Sequence, residues 1–545
     1  MWPVKKVDSE EKVNELAQQV KLPIEVTRAL YLRGHKTPED IEKFLEISFN
    51  NLYPFESLPD IKSAIERINN SLKLNTPILI WGHEDLDGIT SVIILAETIK
   101  DLGGQVFFYI PTKGKEPHGI NVSKALEFKN QGVDLIITVD CGITNFNEIA
   151  ELHQKGIDVI VADHHEVLEK LPPALANIDP KRSESNYPFD QLAACGIAFK
   201  LAWALYHNLQ NWSINELIIK KPEFLIYATL GTIADRVPLV NENRILVKTG
   251  LQLIYENNKA IIKALLRKIN TNNPITTERI INEIVPLFSA ANGNEACSYF
   301  LSSNEDEIGA WLNKLQEESQ AWRTLAKENY QLAEKIAQIT NGIIIIKDEN
   351  LSLKTLGYIA GRFKDQYQLP TVVLGKKNSD WVAECRGING VDLVKMLKDH
   401  SNLLISFGGH KKACGFTITD NNLNIFIEKI IDYAEKNFVD KIIKEDTIVA
   451  DAILAIRDLP LEVLKKFPPF GEGNPSPIFI SKDTAISVNN KGAFFIERPE
   501  LTVIINSDKI TSKVFEIYPE RVFANVLYTL NETGEIIILN LEYPH

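Results

Sequence analysis

Residues 77–91 read PILIWGHEDLDGITS. The apolar run from Pro77 to Ile80 has the character of a buried strand, and one histidine and three acids (His83, Glu84, Asp85, Asp87) follow within a few positions. Acidic clusters on protein surfaces usually do no more than solvate them. This one sits where a strand should end in the interior, and Gly88 permits the tight turn into a following helix.

The same alternation continues: ITSVIILAETIKDLGG, QVFFYIP, NVSKALEFKNQG, VDLIITVDCG, ITNFNEIAELHQKG, IDVIVADHHE and ALANIDP. Apolar strands without polar alternation, each followed by a helical pattern, predict a parallel sheet covered on both faces. Ligands of such a sheet gather at the carboxyl ends of its strands. Ahead of it, residues 10–70 read as helical, with a helix start at Thr37-Pro38-Glu39, and residues 193–340 read as mostly helical. Between Gly309 and Gly342 there is neither glycine nor proline, and Leu312, Leu315, Trp322, Leu325, Asn329, Leu332 and Ile336 recur at helical spacing, which predicts a long connecting helix with a packing stripe. A second α/β segment follows from NGIIIIKD, and the last hundred residues are rich in strand patterns that suggest a small barrel. The expected organisation is an N-terminal helical segment (1–75), a parallel-sheet α/β domain (76–308), the connecting helix (309–340), a second α/β domain (341–440) and a C-terminal β-barrel (441–545).

Composition narrows the class. The chain has 545 residues, of which 45% are hydrophobic and 24% charged, as in ordinary water-soluble globular proteins of several domains. Charges interrupt every apolar stretch before it reaches the length of a membrane span, and the N-terminus lacks a signal-type apolar region, so no membrane association and a cytoplasmic location are expected. Five widely spaced cysteines without a CxxC pair suggest free thiols rather than a disulfide framework or a structural zinc site. The formal net charge of −13 argues at first against a nucleic-acid partner, but a whole-chain sum does not exclude a basic groove, and bound divalent cations reverse the field of an acidic site.

Four segments then align by position. WGHEDLDG, TVDCG and VADHHE each end a predicted parallel strand, and LGTIADRVPL closes a helix. Any one alone reads as an ordinary strand-end cap or turn. Together they bring carboxylates and imidazoles to one rim, where the carboxylates would repel unless cations neutralised them, and hard oxygens with imidazole suit Mn²⁺ or Mg²⁺. Two such cations are the usual device for in-line attack of water on a phosphodiester.

With Asp163-His164-His165 and its flanking motifs, the chain resembles the DHH phosphoesterases. Nearly its whole length is similar to the RecJ family of single-strand-specific exonucleases, on RGHKTPEDIEKFL, NIDPKRSESNYPF with AACGIAFKL, ATLGTIADRVPLVNENR, FGGHKKACGF and KKFPPFGEGNPSPIF. The resemblance implies a DHH domain, a DHH-associated domain and an oligonucleotide-binding (OB-like) barrel. It implies Asp85 and Asp87 as ligands of one cation, Asp140 as the bridging carboxylate, His164 and Asp235 completing the second, and His165 facing the scissile phosphate. In the DHH-associated domain it implies Arg386 and Gly408-Gly409-His410 as contacts to substrate. The implied activity is metal-dependent hydrolysis of single-stranded nucleic acid, DNA from the 5′ end, in repair or recombination, alongside repair or single-strand-binding protein partners.

The chain also departs from that family. His83 stands where Asp is usual and Glu84 where Tyr is usual, so His83 is either an additional metal ligand or a residue that orients one. Leu287 and Gly293, in EIVPLFSAANGNEA, occupy the positions of two arginines that hold the strand and its 5′ end, and Ser352 replaces a histidine. Two other readings therefore stand beside the exonuclease: a DHH phosphodiesterase for short oligoribonucleotides or cyclic dinucleotides, and a catalytically silent strand-binding scaffold.

Overall fold

The structure is a computed structural model. It describes all residues except 1, 113–115, 117–118, 168–169, 270–273, 290, 341, 442–447, 490–491, 496–497, 499, 506–521 and 543–545, and the side chains of 410, 441, 487–489, 492–495, 505 and 522 lie outside the described set. The chain forms two compact units, Met1–Leu315 with Ile448–His545, and Gln316–Thr447.

In the first unit, five strands, β1 (Ile78–Trp81), β2 (Val106–Tyr109), β3 (Leu135–Val139), β4 (Asp158–Ala162) and β5 (Ala176–Ile178), form a sheet of order β2-β1-β3-β4-β5. Every pairing is parallel. Two hydrophobic clusters cover its faces. One includes Ile80, Ile137 and Ile160 with the helices Leu86–Asp101, Ala194–Gln210 and Pro222–Ala234; the other includes Trp81, Ile136 and Val161 with Ala125 and Ile149. Burial on both faces explains why these strands lack polar alternation. The order changes direction at β1 and β3: β2 follows β1 in sequence but lies on one side, while β3 lies on the other. The carboxyl ends of β1 and β3 therefore flank the crevice where open α/β sheets bind ligands.

The N-terminal helices Glu10–Val20, Ile24–Leu32 and Pro38–Leu45 bury Val13, Val26, Leu30, Ile41 and Phe44 in one cluster with Phe467, Phe479, Val526 and Tyr528. Thr37 and Asp40 form a reciprocal capping box at the third helix. A parallel bridge between Val4 and Ala450 and the Arg28 Nε donating to the Asp451 carbonyl (3.1 Å) tie the two chain regions together. The C-terminal sheet has the order β12 (Ala452–Ile453), β13 (Ile478–Asn489), β16 (Val522–Leu530), β17 (Ile536–Glu542), β15 (Val503–Ile505), with β14 (Gly492–Phe495) on β13.

The long helix spans Glu305–Ile336, beginning upstream of the expected Gly309. The Asn304 side chain accepts from the N–H groups of Asp306 and Glu307 (3.2 and 3.3 Å), and the acids of the first turn complement the helix dipole. A single glycine inside a helix so capped is tolerated.

The second unit carries a sheet of order β10 (Ser406–His410), β11 (Ala413–Thr419), β9 (Asp380–Arg386), β8 (Thr371–Lys377), β7 (Ile344–Lys347), β6 (Gln338–Ile339). Asn329, part of the helical stripe, is buried because its Oδ1 accepts from the Ser352 N–H (2.7 Å) and the Thr355 hydroxyl (3.0 Å).

Candidate metal centre

Three loop ends build the centre. After β1, Asp85 becomes the N-cap of the helix Leu86–Asp101, its Oδ1 accepting from the Gly88 N–H at 3.0 Å. A side chain at Gly88 would meet the His83 carbonyl at 2.5 Å, so the turn requires glycine. After β3, Asp140 takes the left-handed backbone (φ 58°), a conformation that costs free energy in a non-glycine residue and clusters at functional sites. After β4, Asp163 points back into the protein. Its Oδ2 accepts from the Ile143 N–H (3.0 Å), and its Oδ1 accepts from the His164 N–H (2.8 Å) and lies 2.7 Å from His165 Nδ1. It thereby ties the ends of β3 and β4 and fixes one face of the His165 ring.

Asp87, in the first turn of that helix, is buried. Its Oδ2 accepts from the Ala194 N–H and its Oδ1 from the Cys195 N–H, both at 2.9 Å, at the start of the helix Ala194–Gln210. Such amides lack intrahelical partners and favour an anion. Gly231 makes room for this arrangement: a Cβ there would lie 2.8 Å from Asp87 Oδ1 and 2.6 Å from Cys195 Sγ. The helix Pro222–Ala234 thus passes directly over Asp87 before ending at Asp235.

The donors fall into three groups, each with ligand atoms within 4.8 Å of one another: His83, Asp85 and Asp140; Asp140, His164 and His165; Asp87, His164 and Asp235. His83 Nδ1 lies 3.2 Å from Asp85 Oδ2 and 3.4 Å from Asp140 Oδ2. His164 Nε2 lies 3.2, 3.7 and 3.9 Å from carboxylate oxygens of Asp140, Asp235 and Asp87. Asp140 and His164 are the shared members, so the arrangement can hold two cations side by side. In this grouping Asp85 falls with His83 and Asp140, and Asp87 with His164 and Asp235, beside the expectation of Asp85 and Asp87 on one cation. Glu84 is buried and belongs to none of the groups.

Electrostatics match a site built for cations. Burial, then repulsion from neighbouring carboxylates, raises Asp87 and Asp235 to about 7, and burial likewise raises Asp140 to about 7. Burial alone would lower His83, yet hydrogen bonds to Asp140 and Asp85 raise it to about 11, and its partner Asp85 is held below the usual carboxylate range. The hydrogen bond to Asp163 raises His165 to about 9, while that bond and the backbone amides outweigh burial and hold Asp163 at about 2. Both ring nitrogens of His164 are buried without a hydrogen bond, an arrangement that costs free energy unless another ligand engages them. Carboxylate oxygens with one or two imidazoles fit Mn²⁺ or Mg²⁺.

Sequence reading missed three contributors: Asp163 as the brace of His165, the Ala194 and Cys195 amides on Asp87, and Gly231. The small residues of AACG and the glycine of LGTIAD were their only visible signals. The two positions where arginines were expected are both packed. Leu287 is buried, and a Cβ on Gly293 would lie 2.4 Å from the Ile110 side chain. The neighbouring Asn294 side chain accepts from the Ile110 N–H (2.9 Å) and donates to its carbonyl (2.7 Å), holding this helix start against the end of β2.

In the second unit, Arg386 on β9 is level with Ala413 on β11, which is level with His410 on β10. Arg386 Nη1 donates to Glu384 Oε2 at 2.9 Å, and its Nη2 would lie 2.8 Å from a Cβ on Gly357, at the start of the helix Leu356–Tyr367. Gly409 (φ 124°) cannot carry a side chain, which would meet the Ala413 carbonyl at 2.5 Å, whereas space over Gly408 is open.

The model described as the DHH family, N-terminal domain, matches residues 77–232, and that of the DHHA1 domain matches residues 338–436. Residues 77–232 are thus similar to a DHH domain and residues 338–436 to a DHHA1 domain. Within that class the chain is similar to RecJ. It is 30% identical over 495 residues to the single-stranded-DNA-specific exonuclease RecJ of Bacillus subtilis, covering 87% of this chain and 61% of that one, so the chain spans less than two thirds of that relative. It is 26% identical over 496 residues to RecJ of Escherichia coli, covering 85% of each. The structure of Thermus thermophilus RecJ with Mn²⁺ superposes with a TM-score of 0.77 at 24% identity, over 100% of this chain and 80% of that one. A manganese-bound exonuclease RecJ gives 0.60 at 26% identity, over 69% and 94%.

Proposed function

We propose that the protein is a metal-dependent exonuclease that hydrolyses phosphodiester bonds of single-stranded nucleic acid, DNA from the 5′ end, in repair or recombination in the cytoplasm. The observation that carries this reading is the pair of donor groups linked through Asp140 and His164 at the sheet crevice. Asp85, Asp87, Asp140, His164 and Asp235, with His83, would hold two divalent cations, Mn²⁺ or Mg²⁺. When bound, the cations supply Lewis acidity to the phosphate and to an attacking water.

The chain's own groups do the rest. Asp87 is fixed by two amides and Asp85 by one, so these carboxylates are positioned before substrate arrives, which is the condition for electrostatic preorganisation. His165, half exposed and braced through Nδ1, presents its other ring nitrogen to the opening and donates to a non-bridging phosphate oxygen as charge builds there. The proposed catalytic domain is 76–308. In the proposed DHH-associated domain (341–440), Arg386, Gly408, Gly409 and His410 form a phosphate contact, and the segments 1–75 and 441–545 flank the catalytic domain. Repair or single-strand-binding proteins are the proposed partners. The names borne by the relatives support the same reading.

The test uses 5′-labelled and 3′-labelled single-stranded DNA and RNA and a dinucleotide, with Mn²⁺, Mg²⁺ or chelator, beside Asp235→Ala. Metal-dependent trimming of single strands that the substitution abolishes is expected. Undiminished activity in chelator would overturn the two-cation account, hydrolysis of the dinucleotide alone would favour a small-substrate phosphodiesterase, and binding without cleavage would favour a scaffold.

A further inference from the structure

The buried members of the centre are Asp87, Asp140 and His164, whereas the side chains of Asp235, Asp85 and His165 are 27, 49 and 51% exposed. Substrate must therefore approach over Asp85, His165 and Asp235. A cation on that face would neutralise the phosphates flanking the scissile one, and Leu287 and Gly293 cannot provide it, one being buried and the other packed against Ile110.

Arg236 immediately follows Asp235 and is exposed. The chain leaves the helix Pro222–Ala234 by turning at this residue, whose φ is 58°, in the left-handed region that glycine or asparagine adopts more readily. The next residues are pinned: the Leu239 N–H donates to the Glu472 carbonyl at 2.7 Å, so the turn is set by packing on both sides.

Arg236 also differs from the other described arginines, among which Arg323 too is engaged. Arg28, Arg33, Arg67, Arg182, Arg267, Arg279, Arg386, Arg457 and Arg498 each pair with a carboxylate. Arg244 is spent on backbone carbonyls and Arg362 on the Tyr330 ring. Among the described residues, the Arg236 guanidinium has neither an ion pair, a hydrogen bond nor a ring contact. In a chain of net charge −13, an arginine left unpaired beside a cluster of carboxylates is a conspicuous exception. The carboxylate of its neighbour Asp235 is directed into the group with His164 and Asp87 and does not neutralise it.

We infer that Arg236 is the phosphate-binding cation of the catalytic rim, contacting a backbone phosphate next to the scissile one and setting the register of the strand on the metal centre. The assignment rests on the exonuclease reading above. A planar guanidinium binds a phosphate through two parallel hydrogen bonds, which an ammonium cannot reproduce, and one phosphate contact on a single strand contributes about −0.7 to the slope of log affinity against log salt.

The experiment compares full-length protein, Arg236→Ala, Arg236→Lys and Arg236→Gly, the last removing the guanidinium while favouring the observed backbone. Lys12→Ala, on an exposed N-terminal helix, serves as control. Affinity for a labelled phosphorothioate single strand is read by anisotropy with Mn²⁺ across a salt series, and Mn²⁺ binding is read by calorimetry. Arg236→Ala and Arg236→Gly are expected to weaken strand binding about tenfold and to lower the salt slope by about 0.7, with Mn²⁺ binding retained. Arg236→Lys keeps the slope and loses part of the affinity. Wild-type affinity and slope in both Arg236→Ala and Arg236→Gly would overturn the assignment while leaving the exonuclease reading intact. Failure of the unmodified protein to bind any single strand would overturn both.

Discussion

Asp163 Oδ1 lies 2.7 Å from His165 Nδ1, and the same carboxylate receives the His164 amide and the Ile143 amide. The first residue of the DHH triplet is thus a brace for the other two. Replacing Asp163 with Asn keeps the size but turns one acceptor into a donor, so His165 loses its fixed tautomer and orientation. Asp163→Asn is expected to lower kcat by about 10²-fold with a smaller effect on KM. Wild-type kcat in that variant would show that His165 needs no brace.

Asp140 belongs to two of the three donor groups and Asp85 to one. Asp140→Asn should therefore abolish the binding of both cations, whereas Asp85→Asn should weaken one. The readout is calorimetric stoichiometry with Mn²⁺, together with the melting temperature. Ligand at about 100 times its Kd stabilises by about 2.7 kcal/mol, an increment that chelator should remove from the unmodified protein and that Asp140→Asn should never show.

Gly231 touches no ligand of its own, yet its missing side chain is what lets Asp87, Thr90 and Cys195 sit where they do. Gly231→Ala forces contacts of 2.6–2.8 Å and is expected to destabilise by about 1–3 kcal/mol and to weaken Mn²⁺ binding through Asp87. An unchanged denaturation midpoint with unchanged Mn²⁺ affinity would contradict the packing account.

Restoring arginine at the two divergent positions should not restore a substrate contact. Leu287→Arg would bury a charge, and Gly293→Arg would drive a side chain into Ile110. Both variants are expected to lose stability, by about 1–3 kcal/mol for the overpacked Gly293 site, with no gain in strand affinity. Tighter strand binding at unchanged melting temperature would show that the segment can open.

His35 packs on Phe44 at 4.5 Å between ring centroids, and burial lowers it to about 4 from 6.5. Unfolded chains take up this proton near pH 6.5, folded ones only near pH 4, so the contribution of His35 to stability is complete above about 6.5 and is lost as pH falls towards 4. Asp87, Asp140 and Asp235, raised to about 7, act in the opposite sense over the same range. The difference between unmodified protein and His35→Gln isolates the histidine: the gap in urea midpoint should be larger at pH 7.5 than at pH 5, and a gap independent of pH would refute it.

What could be read from the sequence follows from how local each signal is. The parallel sheet was legible because β1, β3 and β4 are continuous apolar runs that stop abruptly at His83, Asp140 and Asp163. The gathering of these residues on one rim follows from the strand ends, since parallel strands place all their carboxyl ends together. The helix start at Thr37 and the long helix were legible for the same reason. The division of Asp85 and Asp87 between two donor groups was not, because the partners that define each group, Asp140, His164 and Asp235, come from separate chain segments. Gly293 looked like a lost arginine because its reason, the Ile110 side chain, lies more than 180 residues away in the chain. The shared core of the N-terminal helices and the C-terminal sheet was invisible in the same way, since no local pattern in Val13 or Phe44 points to Phe479 or Tyr528.

That shared core has a consequence for how the protein is made. Arg28 and Asp451 are 423 positions apart, so the helices Glu10–Val20, Ile24–Leu32 and Pro38–Leu45 have no apolar partner until the segment after Asp451 has been synthesised. They must wait, exposed, while the parallel sheet folds between them and their partner, and closure of a loop this long is slow. The strands β13, β16 and β17 thus shelter helices made long before them, and a ribosome that stops short of β16 leaves both chain regions open to aggregation.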